Sequence, residues 1–148
     1  MLASAAAGAG LWRHGYTYSG HASVAAAALA NIDILQGEGL CDRALKLEQP
    51  LFDALLPLAD HEMVEEVRGG TGVLAAVNMR RDLVAGDPTL PARVGMACRR
   101  AGVLVRPLVA GAIAVSPPLV IGDDEIAEIA AGFRTALDEV AADESTLE

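Results

Sequence analysis

The sequence predicts an α+β fold in which a small mixed or antiparallel sheet is covered by helices. Long stretches have apolar residues at helical spacing, short β-branched runs lie between them, and the two kinds of segment do not alternate strictly. A chain of 148 residues is long enough for one domain with a sizeable core. Because the chain is 53% hydrophobic but only 3% aromatic, that core must consist of Ala, Val, Leu and Ile.

The first predicted helix begins at Ser19 or His21 and ends at Gln36, before a stop signal formed by Gly37 and Gly39. Its segment 22–32 carries no charge, so the helix is apolar on nearly every side. Such a helix is normally buried on several faces. The chain offers it little partner surface, so we expect an interface with another subunit or with a missing part of the protein.

A second, amphipathic helix is predicted over residues 40–58. Its apolar positions recur at steps of three and four: Leu40, Ala44, Leu47, Leu51, Leu55 and Leu58. Proline cannot donate the hydrogen bond that continues a helix, so Pro50 predicts a kink or a break near Glu48. We expect His61 in the following turn to be exposed.

Four strands are predicted at residues 64–68, 72–79, 103–106 and 112–115. The glycines of segment 69–72 permit a bulge or tight bend between the first two strands. Segment 80–87 is predicted as a polar hairpin or loop. A helix that begins at Thr89 or Pro91 should extend to Arg100.

The last helix should begin near Asp123, where acidic residues complement the helix dipole, and its apolar stripe predicts one buried face. The stripe is Ile126, Ile129, Ala130, Phe133, Leu137 and Val140. The chain has a net charge of −9, and residues 123–148 contribute −8 of it. This charge argues against nucleic acid or an anionic membrane as partner. A solvated helix face followed by a frayed tail explains it.

The cysteine spacing and the N-terminal segment indicate a cytoplasmic protein. Cys41 and Cys98 are far apart and have no ligand-spaced His or Cys neighbour, which favours two reduced structural thiols over a disulfide or a zinc site. Segment 1–12 is a poor signal peptide because it lacks a basic start and is interrupted by glycines. No apolar run reaches the ~20 residues of a membrane span.

The strongest candidate binding site is the segment Arg-His-Gly-Tyr-Thr-Tyr-Ser-Gly-His at residues 13–21. It places hydroxyl groups directly ahead of the uncharged first helix. The first N–H groups of a helix lack partners and the dipole is positive there, so an anion can be held. Thr17 is the leading candidate. The alternative is that Thr17 or Ser19 merely caps the helix.

Three stretches carry a family resemblance. "HGYTYSGH" with the following "AAAALANIDIL" resembles the segment that leads into the C-terminal domain of class III pyridoxal-phosphate-dependent aminotransferases, the omega-transaminase group of fold type I. "EVRGGTGVLAAV" is similar to the Arg-Gly-x-Gly strand of that family, and "GVLVRP" with "AVSPPLVIGDDEI" is similar to its last strand pair and last helix. The resemblance extends from residue 14 to residue 141 and implies the small domain of such an enzyme.

The resemblance also implies roles for individual residues. The Thr17 hydroxyl and the backbone N–H near Tyr16 would cross a dimer interface and bind the phosphate of the pyridoxal 5'-phosphate that the other subunit holds. Arg106 stands where many family members have an arginine that binds the substrate carboxylate; the alternative is a surface arginine that closes a strand. Arg68 is expected to be a structural ion-pair partner rather than a substrate ligand.

The implied reaction is the transfer of an amino group between an amine or amino acid and an oxo acid. It requires a lysine that binds the cofactor covalently, and in the family this lysine precedes the Thr17 motif. Lys46, which is the one lysine of this chain, follows the motif and lies on the polar side of an amphipathic helix. We therefore predict that the chain alone has no catalytic residue and no activity.

These arguments predict four segments and a set of partners. The segments are a lead-in with the phosphate-contacting turn (1–18), an interface helix (19–37), a small α/β domain (38–142) and an acidic tail (143–148). The partners are a second copy or a complementary large domain, and a small-molecule amine and oxo acid. The alternative function is a non-catalytic domain of the same fold that dimerises or docks through its first helix.

Overall fold

The computed structural model describes residues 15, 17 and 19–145 of the chain, with side chains as far as residue 143. The chain divides after Glu38 into two compact units, Met1–Glu38 and Gly39–Glu148. Each unit is described by itself below.

The first unit contains helix α1, Ala22–Gly37, whose bounds agree with the predicted helix. It ends before Gly39, which has a φ of 60°, a backbone conformation that glycine adopts without strain. None of the residues of α1 is buried, and Val24 and Leu29 are 62% and 63% exposed. An apolar helix with this exposure presents an unusually large hydrophobic surface.

The second unit contains the remaining helices and one sheet. The helices are α2 (Leu40–Leu55), a 3₁₀ helix (Leu56–Asp60), α3 (Arg81–Gly86), α4 (Leu90–Arg100) and α5 (Asp123–Ser145). The strands are β1 (Val64–Arg68), β2 (Ala75–Met79), β3 (Arg106–Pro107) and β4 (Ala112–Val115). All neighbouring strands are antiparallel, in the order β1-β2-β4-β3. The predicted α+β fold with a small sheet is confirmed.

The helices cover one face of the sheet. Helix α2 packs on β1 and β2, α4 packs on β3 and β4, and α5 packs against α2 and α4. The core between these layers is mainly aliphatic, as the composition predicts, and its fully buried side chains come from every layer. They include Leu51, Leu55, Val77, Leu90, Val94, Ile113, Phe133 and Leu137. No described helix of this unit packs on the other face of the sheet.

Pro50 does not break the second helix. Helix α2 is continuous from Leu40 to Leu55, so the break predicted near Glu48 is wrong. Leu47 and Leu51 lie on either side of the proline and are both buried, so packing against the core outweighs one lost backbone hydrogen bond. The change to 3₁₀ geometry comes at Leu56 instead.

Segment 80–87 is not a loop but contains the short helix α3. Leu83 and Val84 on this helix pack against the hydrophobic core, and Arg80 forms an ion pair with Asp82 in its first turn. This contact holds the Asp82 carboxyl in its charged form and lowers its pKa. The packing of Leu83 and Val84 stabilises this helical turn, whereas the polar composition of the segment had predicted a loop.

Strand β3 begins later than predicted because Val103, at the predicted start of the strand, belongs to the C-terminal cap of α4. Gly102 has a φ of 86°, and the Val103 N–H donates to the Cys98 carbonyl at 2.8 Å. The Gly102 N–H also donates to the Arg99 carbonyl, which completes a Schellman C-cap. Val103 therefore belongs to the helix cap, and only Arg106–Pro107 pair as a strand.

Helix α5 buries its predicted stripe and extends further than expected. Ile126, Phe133, Leu137 and Val140 are buried, and Ile129 and Ala130 are partly buried. The helix continues to Ser145, so the first residues of the segment predicted as an acidic tail are helical.

His61 is not exposed, contrary to expectation. Its side chain is only 8% accessible, and its Nε2 lies 3.3 Å from Oδ1 of Asp138 on α5. Its Nδ1 accepts a hydrogen bond from the Met63 N–H at 3.2 Å. His61 therefore ties the turn before β1 to the last helix.

The contact between α5 and the end of α4 leaves no room for a side chain at Gly132. A Cβ there would lie 2.5 Å from Val103 Cγ2 and 3.2 Å from the Ala101 carbonyl oxygen. We expect Gly132→Ala to lower the free energy of unfolding by about 1–3 kcal/mol despite the better helix propensity of alanine. Gly86→Ala is the matched control, because a Cβ at Gly86 meets nothing within 4 Å. Urea denaturation compares the two; equal stability of both variants would refute the close contact.

Candidate functional site

Thr17 lies in an exposed turn shortly before α1. Within the described residues its side chain makes no hydrogen bond. Gly20, also in this turn, has a φ of 78°. Tyr16, the other predicted cofactor-binding residue, lies outside the residues that the structure describes.

The N-cap residue of α1 provides no side-chain cap. The N-cap residue is His21, whose side chain makes no capping hydrogen bond, and the first turn of the helix contains no acidic residue. Because His21 occupies the N-cap position, Thr17 is not the N-cap residue of α1. An exposed hydroxyl shortly before a helix whose first turn contains no carboxylate has the chemistry that suits an anion.

A second candidate site is the sheet face opposite the described helices of the second unit, which we call the open face. The strand register aligns four residues in one row across it: Arg68, Ala76, Ala114 and Arg106. Directly opposed residues of antiparallel strands project on the same side. Ala75 and Val77 of β2 belong to the buried core, so Ala76 and its whole row lie on the open face. The register therefore brings both arginines to one surface.

Arg106 begins β3 rather than ending a strand, which corrects the predicted position. Its backbone pairs with Ala114, and its side chain is exposed. No hydrogen bond or ion pair joins its guanidinium to any described residue. None of the described residues occupies its side-chain donors, which suits the binding of a ligand.

Arg68 is an ion-pair partner, as predicted. Its Nη2 donates to Oδ1 of Asn78 at 3.1 Å, and its Nε lies 3.5 Å from Oε1 of Glu66. The Asn78 amide in turn donates to the same Glu66 oxygen at 2.6 Å. The three side chains form an exposed network at the β1 edge of the open face.

A cavity of about 390 Å³ lies on the open face beside Arg68; Arg106 is not one of its lining residues. Its lining is mostly apolar, with Arg68 as the one charged residue among those described: Arg68, Gly69, Thr71, Leu74, Ala75, Ala76, Leu108 and Ala114. The glycine loop beside it is fixed by the Gly72 N–H, which donates to Oε1 of Glu48 at 2.7 Å. Gly69 packs so closely on Phe52 that a Cβ would lie 2.9 Å from that ring.

The chain matches the model of a known protein family. The family model for class-III aminotransferases matches residues 2–137. The chain belongs to the class-III aminotransferase family. The resemblance found in the sequence motifs is thereby confirmed.

Curated relatives include two aminotransferases with named substrates. The putrescine–pyruvate aminotransferase of Pseudomonas aeruginosa is 38% identical over 138 residues, which cover 90% of this chain and 30% of that protein. The diaminobutyrate–2-oxoglutarate transaminase of Halomonas elongata is 36% identical over 134 residues, covering 86% of this chain and 28% of that protein. The chain thus spans less than a third of the length of these relatives.

Solved structures of transaminases agree with the fold. An amine transaminase from an uncultivated Pseudomonas species, in its PLP-bound form, matches with a TM-score of 0.76 at 37% identity, over 87% of this chain and 30% of that one. A thermostable omega transaminase mutant from Pseudomonas jessenii matches with a TM-score of 0.75 at 33% identity, over 93% of this chain and 31% of that one.

The remaining reactive side chains of this class-III family member have structural roles or lie at the surface. Lys46 is exposed on α2. Cys98 is buried, and that burial raises the pKa of its thiol to about 11, so the thiol stays protonated at neutral pH. Cys41 is exposed, and both cysteines are free. The described residues include no cluster able to hold a metal ion, and no described helix is long and apolar enough to cross a membrane.

Sequence reasoning identified Thr17 and Arg106 through motifs but missed the open-face cavity. No sequence signal placed Arg68 in line with Arg106, because this alignment depends on the pairing of four strands that are far apart in the chain.

Proposed function

We propose that this chain is the C-terminal small domain of a pyridoxal-phosphate-dependent class III aminotransferase. In the complete enzyme it would take part in amino-group transfer between an amine or amino acid and an oxo acid. The single observation that carries the proposal is the family match over 2–137 by a chain that spans about 30% of its relatives. The exposed Lys46 on α2 supports the view that the reactive lysine belongs to the part of the enzyme that this chain lacks.

Thr17 is proposed to bind the cofactor phosphate of a neighbouring subunit, together with the backbone N–H near Tyr16. Three features support this role: the exposed hydroxyl without a partner among the described residues, the lack of a capping bond from the side chain of the N-cap residue His21, and the absence of an acidic residue in the first turn of α1. A neutral hydroxyl that donates to a phosphate dianion forms a charge-assisted hydrogen bond. The cofactor, when bound, supplies the electron sink for amino transfer.

Arg106 is proposed to bind the carboxylate of the substrate. Its guanidinium is exposed on the open face and has no partner among the described residues. A planar guanidinium can donate two parallel hydrogen bonds to a carboxylate, which fixes the orientation of the substrate as well as its charge.

The exposed apolar surface of α1 is proposed to be an interface with a second copy or with the large domain. Val24, Leu29, Ile32 and Ile34 each expose a large apolar side chain on this helix. The same observation supports a second candidate function, namely a non-catalytic domain that dimerises or docks through α1. In either case we propose a cytoplasmic protein without a nucleic-acid partner.

The test uses a completed enzyme, in which this chain replaces the matching segment of the Pseudomonas aeruginosa relative. We expect Thr17→Ala to raise the dissociation constant of pyridoxal phosphate by about tenfold, because one hydrogen bond to a charged group is lost. The dissociation constant is measured by equilibrium dialysis, without reference to activity.

Thr17→Ser is the matched control and should retain most of the affinity, because it keeps the hydroxyl. Equal cofactor affinity in all three proteins would argue for the docking function instead.

A further inference from the structure

We propose that Arg68 is a second carboxylate-binding residue, and that the open face thereby selects dicarboxylic oxo acids over monocarboxylic ones. The inference rests on the proposed function, because it assumes that Arg106 binds one carboxylate of the oxo acid. It goes beyond that function by assigning a substrate class and a residue that determines it.

Arg68 and Arg106 belong to the same row of residues across the open face. Arg68 and Arg106 stand on the two outer strands, and only Ala76 and Ala114 separate them on the same face. Strands are spaced by 4.7–4.9 Å, so the two arginine Cα atoms are about 14 Å apart. Two long side chains that reach inward over alanines can therefore hold the two ends of a short dicarboxylate.

The cavity of the open face adjoins this row. Arg68 lines it, and so does Ala114, the strand partner of Arg106. Leu74 and Leu108 form apolar walls, which suit the methylene chain between two carboxylates. The Thr71 hydroxyl is a further hydrogen-bonding group in the lining.

Arg68 has more hydrogen-bond donors than its observed contacts occupy. A guanidinium has five N–H donors, and Asn78 accepts from one of them at 3.1 Å. Its contact with Glu66, at 3.5 Å, is longer than a good charge-assisted hydrogen bond. Asn78 is uncharged, so it orients the guanidinium without neutralising it. Arg68 thus keeps donors for a carboxylate in the cavity.

The charges of the open face favour a dianion. Two arginines stand on the row, and Glu66 is the acidic group of the adjacent network. A monocarboxylate held by Arg106 would leave the donors of Arg68 in the cavity without an anionic ligand. A dicarboxylate can accept hydrogen bonds from both arginines at once. The bonds to its second carboxylate then offset the cost of removing that carboxylate from water, so that the affinity increases.

The test is a titration of the full 148-residue chain, labelled with nitrogen-15, with 2-oxoglutarate and with pyruvate. The Nε–H resonances of Arg68 and Arg106 are followed by NMR. We expect 2-oxoglutarate to bind about tenfold more tightly than pyruvate and to shift both arginine resonances, since it gains one charge-assisted contact. Pyruvate should shift Arg106 alone.

Two substitutions with opposite expected effects separate recognition from misfolding. Arg68→Gln should remove the preference for 2-oxoglutarate and leave pyruvate binding unchanged. Glu66→Gln removes the carboxylate that competes for Arg68, and should tighten 2-oxoglutarate binding roughly twofold to fivefold. Arg100→Gln is the control, because Arg100 lies on α4 and pairs with Glu139; it should change neither affinity.

Equal affinities for the two acids in the unsubstituted chain would overturn the inference, as would an unchanged preference in Arg68→Gln. The absence of any shift at the two arginines would overturn it as well. None of these outcomes depends on cofactor binding, which Thr17→Ala tests in the completed enzyme. The inference and the proposed function can therefore fail separately.

Discussion

Replacement of Phe133 by alanine is expected to lower the free energy of unfolding by about 3–5 kcal/mol, the largest stability effect we predict. Phe133 on α5 is 0% exposed and has the largest of the fully buried side chains. It is also the one aromatic residue in the buried core cluster of the described residues. The aliphatic side chains around it cannot expand to fill the space, so the substitution adds a cavity cost to the lost burial.

The measurement for Phe133→Ala is urea denaturation followed by circular dichroism, with the slope of the transition checked for constancy. Leu104→Ala is the control because Leu104 is 77% exposed, and it should change the stability by no more than about 0.5 kcal/mol. A loss below about 1 kcal/mol for Phe133→Ala would mean that α5 does not pack against α2 and α4 as described.

Replacement of Arg106 by glutamine in the completed enzyme is expected to raise the KM for the oxo acid by about tenfold to a hundredfold. The substitution removes a charge-assisted, two-pronged contact with a carboxylate, worth about 1.5–3 kcal/mol. Arg106→Lys should recover only part of the effect, because an ammonium group cannot reproduce the planar pair of donors. Steady-state kinetics with the oxo acid as the varied substrate provides the measurement.

Arg99→Gln is the matched control for Arg106. Arg99 is likewise an exposed arginine without a side-chain partner among the described residues, but it lies on α4. It should leave the KM unchanged. Cofactor affinity should stay the same in the Arg106 variants, which distinguishes a substrate contact from general damage to the domain. Equal KM values for Arg106→Gln and the unsubstituted enzyme would remove Arg106 from the substrate site.

Helices that pack through one regular stripe could be predicted from the sequence. The stripe of α5 and the bounds of α1 followed from apolar spacing and stop signals, because helical periodicity is a local property. The errors arose where packing overrides local preference. Pro50 remains within α2 because buried leucines hold the helix on both sides of it, and α3 forms because Leu83 and Val84 reach the core.

The candidate site could be predicted only where it rests on contiguous motifs. Thr17 and Arg106 were identified because each lies within a recognisable run of residues. The relation between Arg68 and Arg106 could not be found in this way, because it depends on the pairing of β1, β2, β4 and β3. A one-residue change of register would move either arginine to the other face, and sequence spacing does not fix that register.

The most direct test of the central claim, that Thr17 serves a cofactor held by another subunit, is a hybrid dimer of the completed enzyme. One subunit carries Thr17→Ala and an intact reactive lysine, and the other carries Thr17 and lacks that lysine. Pyridoxal phosphate affinity is measured at the site with the lysine. We predict the affinity of the unsubstituted enzyme, because the hydroxyl comes from the partner subunit. An affinity as weak as that of the Thr17→Ala homodimer would contradict the claim.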